Sequence, residues 1–158
     1  MSSPPATDNP TRAHIAAAIE AGEAGAPLGA NPALAALAPR LVRGRAGALE
    51  IRFTTPPDAL QGNGVVGGGV LAGMLDAAMA IAVLSALPFG RTCATISLNV
   101  NMLAAARPGD LLAEAEVDRL GRSVAFVRAS LFDAGHTRLV ATASASFAII
   151  EERPASVG

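Results

Sequence analysis

Asp76 is the single charged residue in GGGVLAGMLDAAMAIAVLSAL, residues 67–87 of this 158-residue chain. An ionised carboxylate in an apolar setting is costly unless it is paired or hydrogen-bonded. On the residues alone two uses of Asp76 stay open: a working base, strengthened by poor solvation, or a structural acceptor for some buried backbone donor. The same stretch opens on Gly67, Gly68 and Gly69, and glycines let another backbone or a ligand come close. The residue types that other chemistries need are sparse. Cys93 is the sole cysteine and has no partner for an internal bridge; beside only His14 and His136 it forms no metal-ligand spacing, so no metal site is expected. Cys93 reads as a small packed hydrophobe, His14 falls in an N-terminal extension and His136 in a turn.

The elements around Asp76 follow from pattern. Residues 1–10 are Pro/Ser/Asp-rich and read as disordered; a short helix is expected over 11–21, then a linker, AGEAGAPLGANP. In NPALAALAPRL an Asn precedes a first-turn Pro, which predicts a second short helix. GALEIRFTT alternates, with Leu49, Ile51 and Phe53 on one side, and predicts a half-buried strand. A Pro/Gly-rich loop leads into the apolar segment, which reads as a long helix over about 68–87 ending at Pro88-Phe89-Gly90. Four strands should follow. In TISLNVNML, Ile96, Leu98, Val100 and Met102 alternate with Thr95, Ser97, Asn99 and Asn101. In RLVATASASFAII, Leu139, Ala141, Ala143, Ala145 and Phe147 share a face. The short turns ARPGD, LGRS and DAGH predict an antiparallel meander. The domain organisation expected is an extension over 1–38, one α+β domain over 39–151 and a tail over 152–158.

Composition narrows the partners. Net charge is −1, and the twelve basic residues, all Arg, are scattered rather than clustered; with five Phe and no Trp or Tyr there is neither a basic groove nor a stacking platform for nucleic acid. A small-molecule partner is expected. The N-terminus lacks the basic and apolar regions of a secretory signal, and the unpaired cysteine suits a reducing cytoplasm. Residues 64–89 approach the length of a bilayer span, yet a central Asp would cost about 3 kcal/mol to insert. A helix surrounded by protein explains the same composition. Such a helix needs a curved sheet around it and a second subunit over whatever the sheet leaves open.

Gln61, Gly64, Gly68-Gly69 and Asp76, followed by TISLNVNMLAAARPGD and LGRSVAFVRASLFDAGHTRLVATASASFAII, resemble the hotdog-fold acyl-CoA thioesterases of the phenylacetate-degradation (PaaI-like) type. The resemblance covers roughly residues 45–150. It implies a curved antiparallel sheet wrapped around the central helix, and hydrolysis of an acyl-CoA thioester to acid and free CoA, with no cofactor beyond the CoA of the substrate. It matches Asp76 to the carboxylate that attacks the thioester or activates water, and Gly68 to the backbone N–H that holds the thioester oxygen. Orphan amides and the positive dipole end of a helix suit an oxyanion. Gln61 matches a residue that holds the nucleophile or water, and Thr95 a hydroxyl that positions water. Gly69 stands beside the oxyanion glycine. Arg107, Arg119 and Arg122 are the candidates for the CoA phosphates.

The resemblance also implies a homodimer pairing into a homotetramer, with Asp76 of one chain facing Gln61 and Gly68 of its neighbour. The chain departs from the family pattern at Gly67, where most relatives carry His, and at Met102 and Ala104-Ala105, which replace an aromatic and an Arg-Pro pair. Two further functions stay open: a non-catalytic acyl-CoA-binding or regulatory protein, which Gly67 favours, and an acyl-thioester hydratase or dehydratase, which lacks a nearby His to shuttle protons.

Overall fold

The computed structural model describes residues 7–153, so the expectations for 1–6 and for the end of the tail lie outside it. In chain order the elements are α1 (Pro10–Ala21), α2 (Pro32–Ala35), β1 (Arg40–Arg45), β2 (Ala48–Thr54), α3 (Gly68–Ala86), β3 (Arg91–Met102), β4 (Asp110–Leu120), β5 (Val124–Asp133) and β6 (Leu139–Glu151). All strand pairs are antiparallel, in one curved six-stranded sheet of order β1-β2-β4-β5-β6-β3.

α3 lies on the inner face of the sheet, packed against β2, β3, β4, β5 and β6. Rows of paired residues run beneath it. Ile51, Ala113, Leu131 and Ala141 pair in sequence across four strands and are all fully buried. The alanines let the helix sit close, so Met74, Ala78, Met79 and Ala82 are fully buried as well. α3 is long and apolar enough to cross a membrane, with a mean hydropathy of 1.9, but it is the core helix of this domain. Its burial is incomplete. Gly69, Gly73, Asp76 and Ala80, spaced three or four apart, form with the neighbouring Ala72 one stripe that the sheet does not cover.

Four expectations are corrected. The strands after α3 do not form a simple meander: β3 pairs with β6 at the far edge, and only β4-β5-β6 run consecutively. Residues 103–109 carry the chain across the domain beneath the start of α3, which places β4 against β2. β1 was unforeseen, because RLVRGR has three arginines and no apolar alternation, and its pairing to β2 rather than its composition makes it a strand. The alternation in β3 breaks at Ile96, where the register to β6 shifts between Thr95 and Ser97. Thr95 lies opposite Phe147 and Leu98 opposite Ala145, both inner-face residues, so Thr95 faces inward and Ile96 is the extra residue of a bulge. A second irregularity turns Leu139 outward and buries Val140.

The extension is part of the core rather than a tether. Ile15 and Leu28 are fully buried, and the supposed linker bonds to β1 through Gly25 N–H to Leu41 O, at 2.7 Å, and Leu41 N–H to Ala26 O, at 2.9 Å. Asp8 accepts from Arg12 Nε at 2.7 Å and from Gly90 N–H at 3.0 Å, while Arg12 Nη1 donates to Leu87 O at 3.2 Å. This clasp ties the entry of α1 to the exit of α3. At the same end, Ser85 accepts from the buried Gly47 N–H at 2.8 Å and donates to Ala82 O at 2.6 Å, joining the β1–β2 turn to the helix.

Two outcomes are expected. Ser85→Ala leaves the Gly47 amide buried without an acceptor and lowers the unfolding free energy by about 1–3 kcal/mol in urea titration. The Arg12 guanidinium, with the Gly90 and Asn9 amides, holds the Asp8 carboxyl at about 2, below its ordinary 3.8. A depressed folded pKa contributes stability above pH 3.8 that is lost as pH falls toward 2. Asp8→Asn therefore lowers Tm at pH 7, and its difference from wild type shrinks across that acid window.

Candidate functional site

Two groups of side chains stand on the open side of α3. The first is built around Asp76, in the middle of the uncovered stripe. Its Oδ1 accepts a 2.9 Å hydrogen bond from Thr95 Oγ1, the hydroxyl that the bulge turned inward. Asp76 is half-buried, not sealed in an apolar pocket as expected, because the sheet ends at β3 and no element among the described residues lies beyond it. Thr95 is its one hydrogen-bond donor among the described residues, which leaves carboxylate lone pairs free for water or substrate. Cys93 is also on this inner side, with Sγ 4.0 Å from Ala80 O. Burial, and then the charge of Asp76, pushes its thiol up to about 12. Cys93 is thus packing rather than nucleophile.

The second group sits at the start of α3. Gly67 is the N-cap residue, with extended backbone and no side-chain cap, and its carbonyl receives the Val70 and Leu71 amides at 3.0 and 3.2 Å. The Gly68 and Gly69 N–H groups have no acceptor among the described residues, and both glycines are exposed. These are the orphan donors and positive end of a long helix, a natural seat for a developing oxyanion. Gln61 joins them: its turn is closed by Gln61 N–H to Val65 O at 2.9 Å, and it lines, with Gly68 and Met102, a cavity of about 390 Å³.

The two groups do not meet within one chain. Asp76 is eight residues after Gly68, so at 1.5 Å per residue the carboxylate lies about 12 Å further along the helix axis. The candidate arginines are also divided. Arg107 is in the crossing segment at the glycine end, whereas Arg119 and Arg122 lie at the far end of β4, about 30 Å away along the strand. All three are exposed. A larger hollow of about 650 Å³ on the outer face of the sheet is lined by Arg43, Glu50, Glu116 and Arg128. Those charges satisfy one another, Arg43 with Glu50 at 2.7 Å and Arg128 with Glu116 at 2.6 Å and with Asp118, and none is near α3's open stripe. Among the described residues no group of three or more His, Cys, Asp or Glu could hold a metal ion.

For two residues that the sequence singled out, the structure adds what spacing could not give. Met102 lies over Gly68: a Cβ added at Gly68 would stand 3.7 Å from its terminal methyl. The inward aim of Thr95 was invisible to an alternating pattern, since only the pairing with β6 reveals the bulge.

Comparison with known proteins identifies the family and the fold. Residues 63–140 match the model of the thioesterase superfamily. A phenylacetic acid degradation-related protein of Ralstonia eutropha JMP134, named as a thioesterase, is 34% identical, with a TM-score of 0.72 over 85% of this chain and 98% of that one. A Bacillus halodurans protein solved with CoA is 27% identical, with a TM-score of 0.60 over 64% of this chain and 66% of that one. A Halobacterium salinarum protein that carries an esterase name is 46% identical over 72 residues, 44% of this chain and 47% of that protein, so the match spans about half the length of that curated relative.

The Cys93 environment makes a direct prediction. A thiol held at about 12 instead of the ordinary 9.0 carries about a thousandfold less thiolate at pH 8. Iodoacetamide should therefore label folded protein at least tenfold more slowly than the urea-unfolded chain, followed by mass spectrometry, since a more basic thiolate regains part of the loss through its higher nucleophilicity; comparable rates would contradict the packing role.

Proposed function

This chain belongs to the thioesterase superfamily, and from that premise we propose that it hydrolyses acyl-CoA thioesters to a carboxylic acid and free CoA. The observation that carries the reading is the Thr95–Asp76 hydrogen bond on the one stripe of α3 left open, on the same helix whose first amides are unengaged. In this reading the Asp76 carboxylate takes a proton from a water as its oxygen adds to the thioester carbon. The carbonyl π electrons move onto oxygen, where the Gly68 N–H, seconded by Gly69, receives the charge. Collapse of the tetrahedral species breaks the C–S bond, and the departing thiolate takes the proton held by Asp76. Thr95 fixes the rotamer of the carboxylate, and Gln61 holds the water. Direct attack by Asp76 on the carbonyl is the variant in which the carboxylate is the nucleophile.

In this reading a second chain bridges the 12 Å between Gly68 and Asp76. β3 is the sheet edge, with Ile96, Leu98 and Met102 exposed at 58, 39 and 46%, and a long apolar edge strand favours pairing with its own copy. Two such edges joined around a two-fold axis would extend the sheet and carry Asp76 of the partner subunit toward Gly68 and Gln61 of the first. Arg107, on the glycine end, takes the CoA phosphates from its own chain; Arg119 and Arg122 reach them only from the partner. Pairing of dimers into a tetramer belongs to the same reading. A non-catalytic acyl-CoA-binding protein is the second reading, favoured by the bare Gly67 cap.

Release of free thiol from a panel of CoA esters separates the two. For an enzyme, Asp76→Asn lowers kcat by about a hundredfold or more while CoA-ester binding changes less than threefold. Thr95→Val lowers kcat by about tenfold, and Thr95→Ser restores it. No turnover by wild type with CoA esters still bound would establish the binding protein instead.

A further inference from the structure

We propose that the cavity beside Gly68 receives the acyl group and selects an uncharged, apolar acyl chain of about six to ten carbons, with Met102 as its adjustable wall. This rests on the thioesterase reading above and names the substrate class for it.

The cavity is preformed. Its floor is Val66 and Leu71, each 3% exposed, and Ala106, 1% exposed. Its far wall is the crossing segment 103–106, and backbone bonds pin that segment at both ends. Leu103 and Ala104 N–H donate to Val140 O at 2.9 and 3.1 Å, and Val66 N–H donates to Ala106 O at 2.9 Å. A wall held on both sides cannot collapse onto Leu71, and Ala104 and Ala105 have no side chain long enough to fill the gap. A groove therefore remains open at the surface, with Gln61, Gly68, Met102 and Leu103 exposed along it.

Size and chemistry then specify the occupant. About 390 Å³, at roughly 30 Å³ for each water-sized group, holds on the order of a dozen such groups. Part of that space is the open mouth, so a group of six to ten carbons fills the rest. Gln61 is the one polar side chain in the lining, and no charged residue contributes. An acyl group with a terminal carboxylate would bury its charge there without a cation. Arg107 follows Ala106 in the chain but lines a separate hollow with Asp110 and Arg138. Met102, unbranched and polarizable, stands between the cavity and Gly68, where it can lie along an alkyl chain or against a ring.

The test uses thioether analogues that cannot be cleaved, so that selectivity is read independently of hydrolysis. Calorimetry on the wild-type protein compares S-octyl-, S-(2-phenylethyl)-, S-ethyl- and S-(2-carboxyethyl)-CoA. Each methylene moved into the cavity tightens Kd about fourfold, from about 0.8 kcal/mol per buried CH₂. The expected result is S-octyl or S-(2-phenylethyl) binding at least thirtyfold tighter than S-ethyl, and S-(2-carboxyethyl) no tighter than S-ethyl. The tighter of the first two says whether the apolar group is a chain or a ring. Ala104→Phe and Met102→Trp each fill the space and cut the octyl-to-ethyl ratio at least tenfold; Met102 is an exposed strand residue, so its variant folds even if the other does not. Octyl and ethyl affinities within threefold, tighter binding of the carboxyethyl compound, or an unchanged ratio in the folded variants would overturn the proposal. If the ratio holds while no CoA ester is hydrolysed, the acyl site stands and the hydrolase reading falls.

Discussion

Everything in this domain follows from the need to bury α3. A helix of 19 residues with one charge cannot face water on any broad side, and a single sheet can cover it only by curving around it. The inner rows of alanine let the sheet do so closely. Coverage stops at β3, because each row that is buried on β2, β4, β5 and β6 ends there in an exposed or half-exposed residue, Met102, Val100 or Leu98. The stripe left open on the helix is where its only carboxylate stands. The position of Asp76 is thus the place where the fold's main constraint is relaxed.

A bulge gives that position a hydrogen-bond partner. With strict alternation, Thr95 would point outward with Ser97, and Ile96 would face the helix. One extra residue in β3 reverses the two, so a hydroxyl rather than an alkyl group meets the carboxylate. The same strand holds the half-buried Cys93 near Asp76, where desolvation favours the protonated thiol. The N-terminal clasp of Asp8, Arg12 and Gly90 secures the opposite end of α3, so the helix is held at its exit while its entrance stays free to meet a ligand.

The segment between β3 and β4 connects architecture to specificity. It exists because β3 lies at one edge of the sheet and β4 near the other, so the chain must cross beneath the start of α3. Its backbone bonds to Val66 and Val140 make the crossing rigid, and its run of small residues leaves a cavity beside the glycines. Met102, Ala104 and Ala105, three of the positions that depart from the family pattern, line that cavity, and Gly67 precedes its Gly68.

What the sequence determined by itself was local: the helix from Gly68, the strands on either side, the alanine-rich inner faces, and the isolation of one carboxylate among apolar residues. These depend on periodicity and near-neighbour preferences, which a few consecutive residues carry. The sequence motifs also pointed to Asp76, Thr95, Gln61 and Gly68 through their resemblance to a family. Only the tertiary structure decided that Thr95 faces Asp76, that β3 crosses to the far edge, and that Arg107 is remote from Arg119 and Arg122. Each of these depends on register and pairing between residues distant in sequence, and a one-residue shift in pairing reverses which way a side chain points.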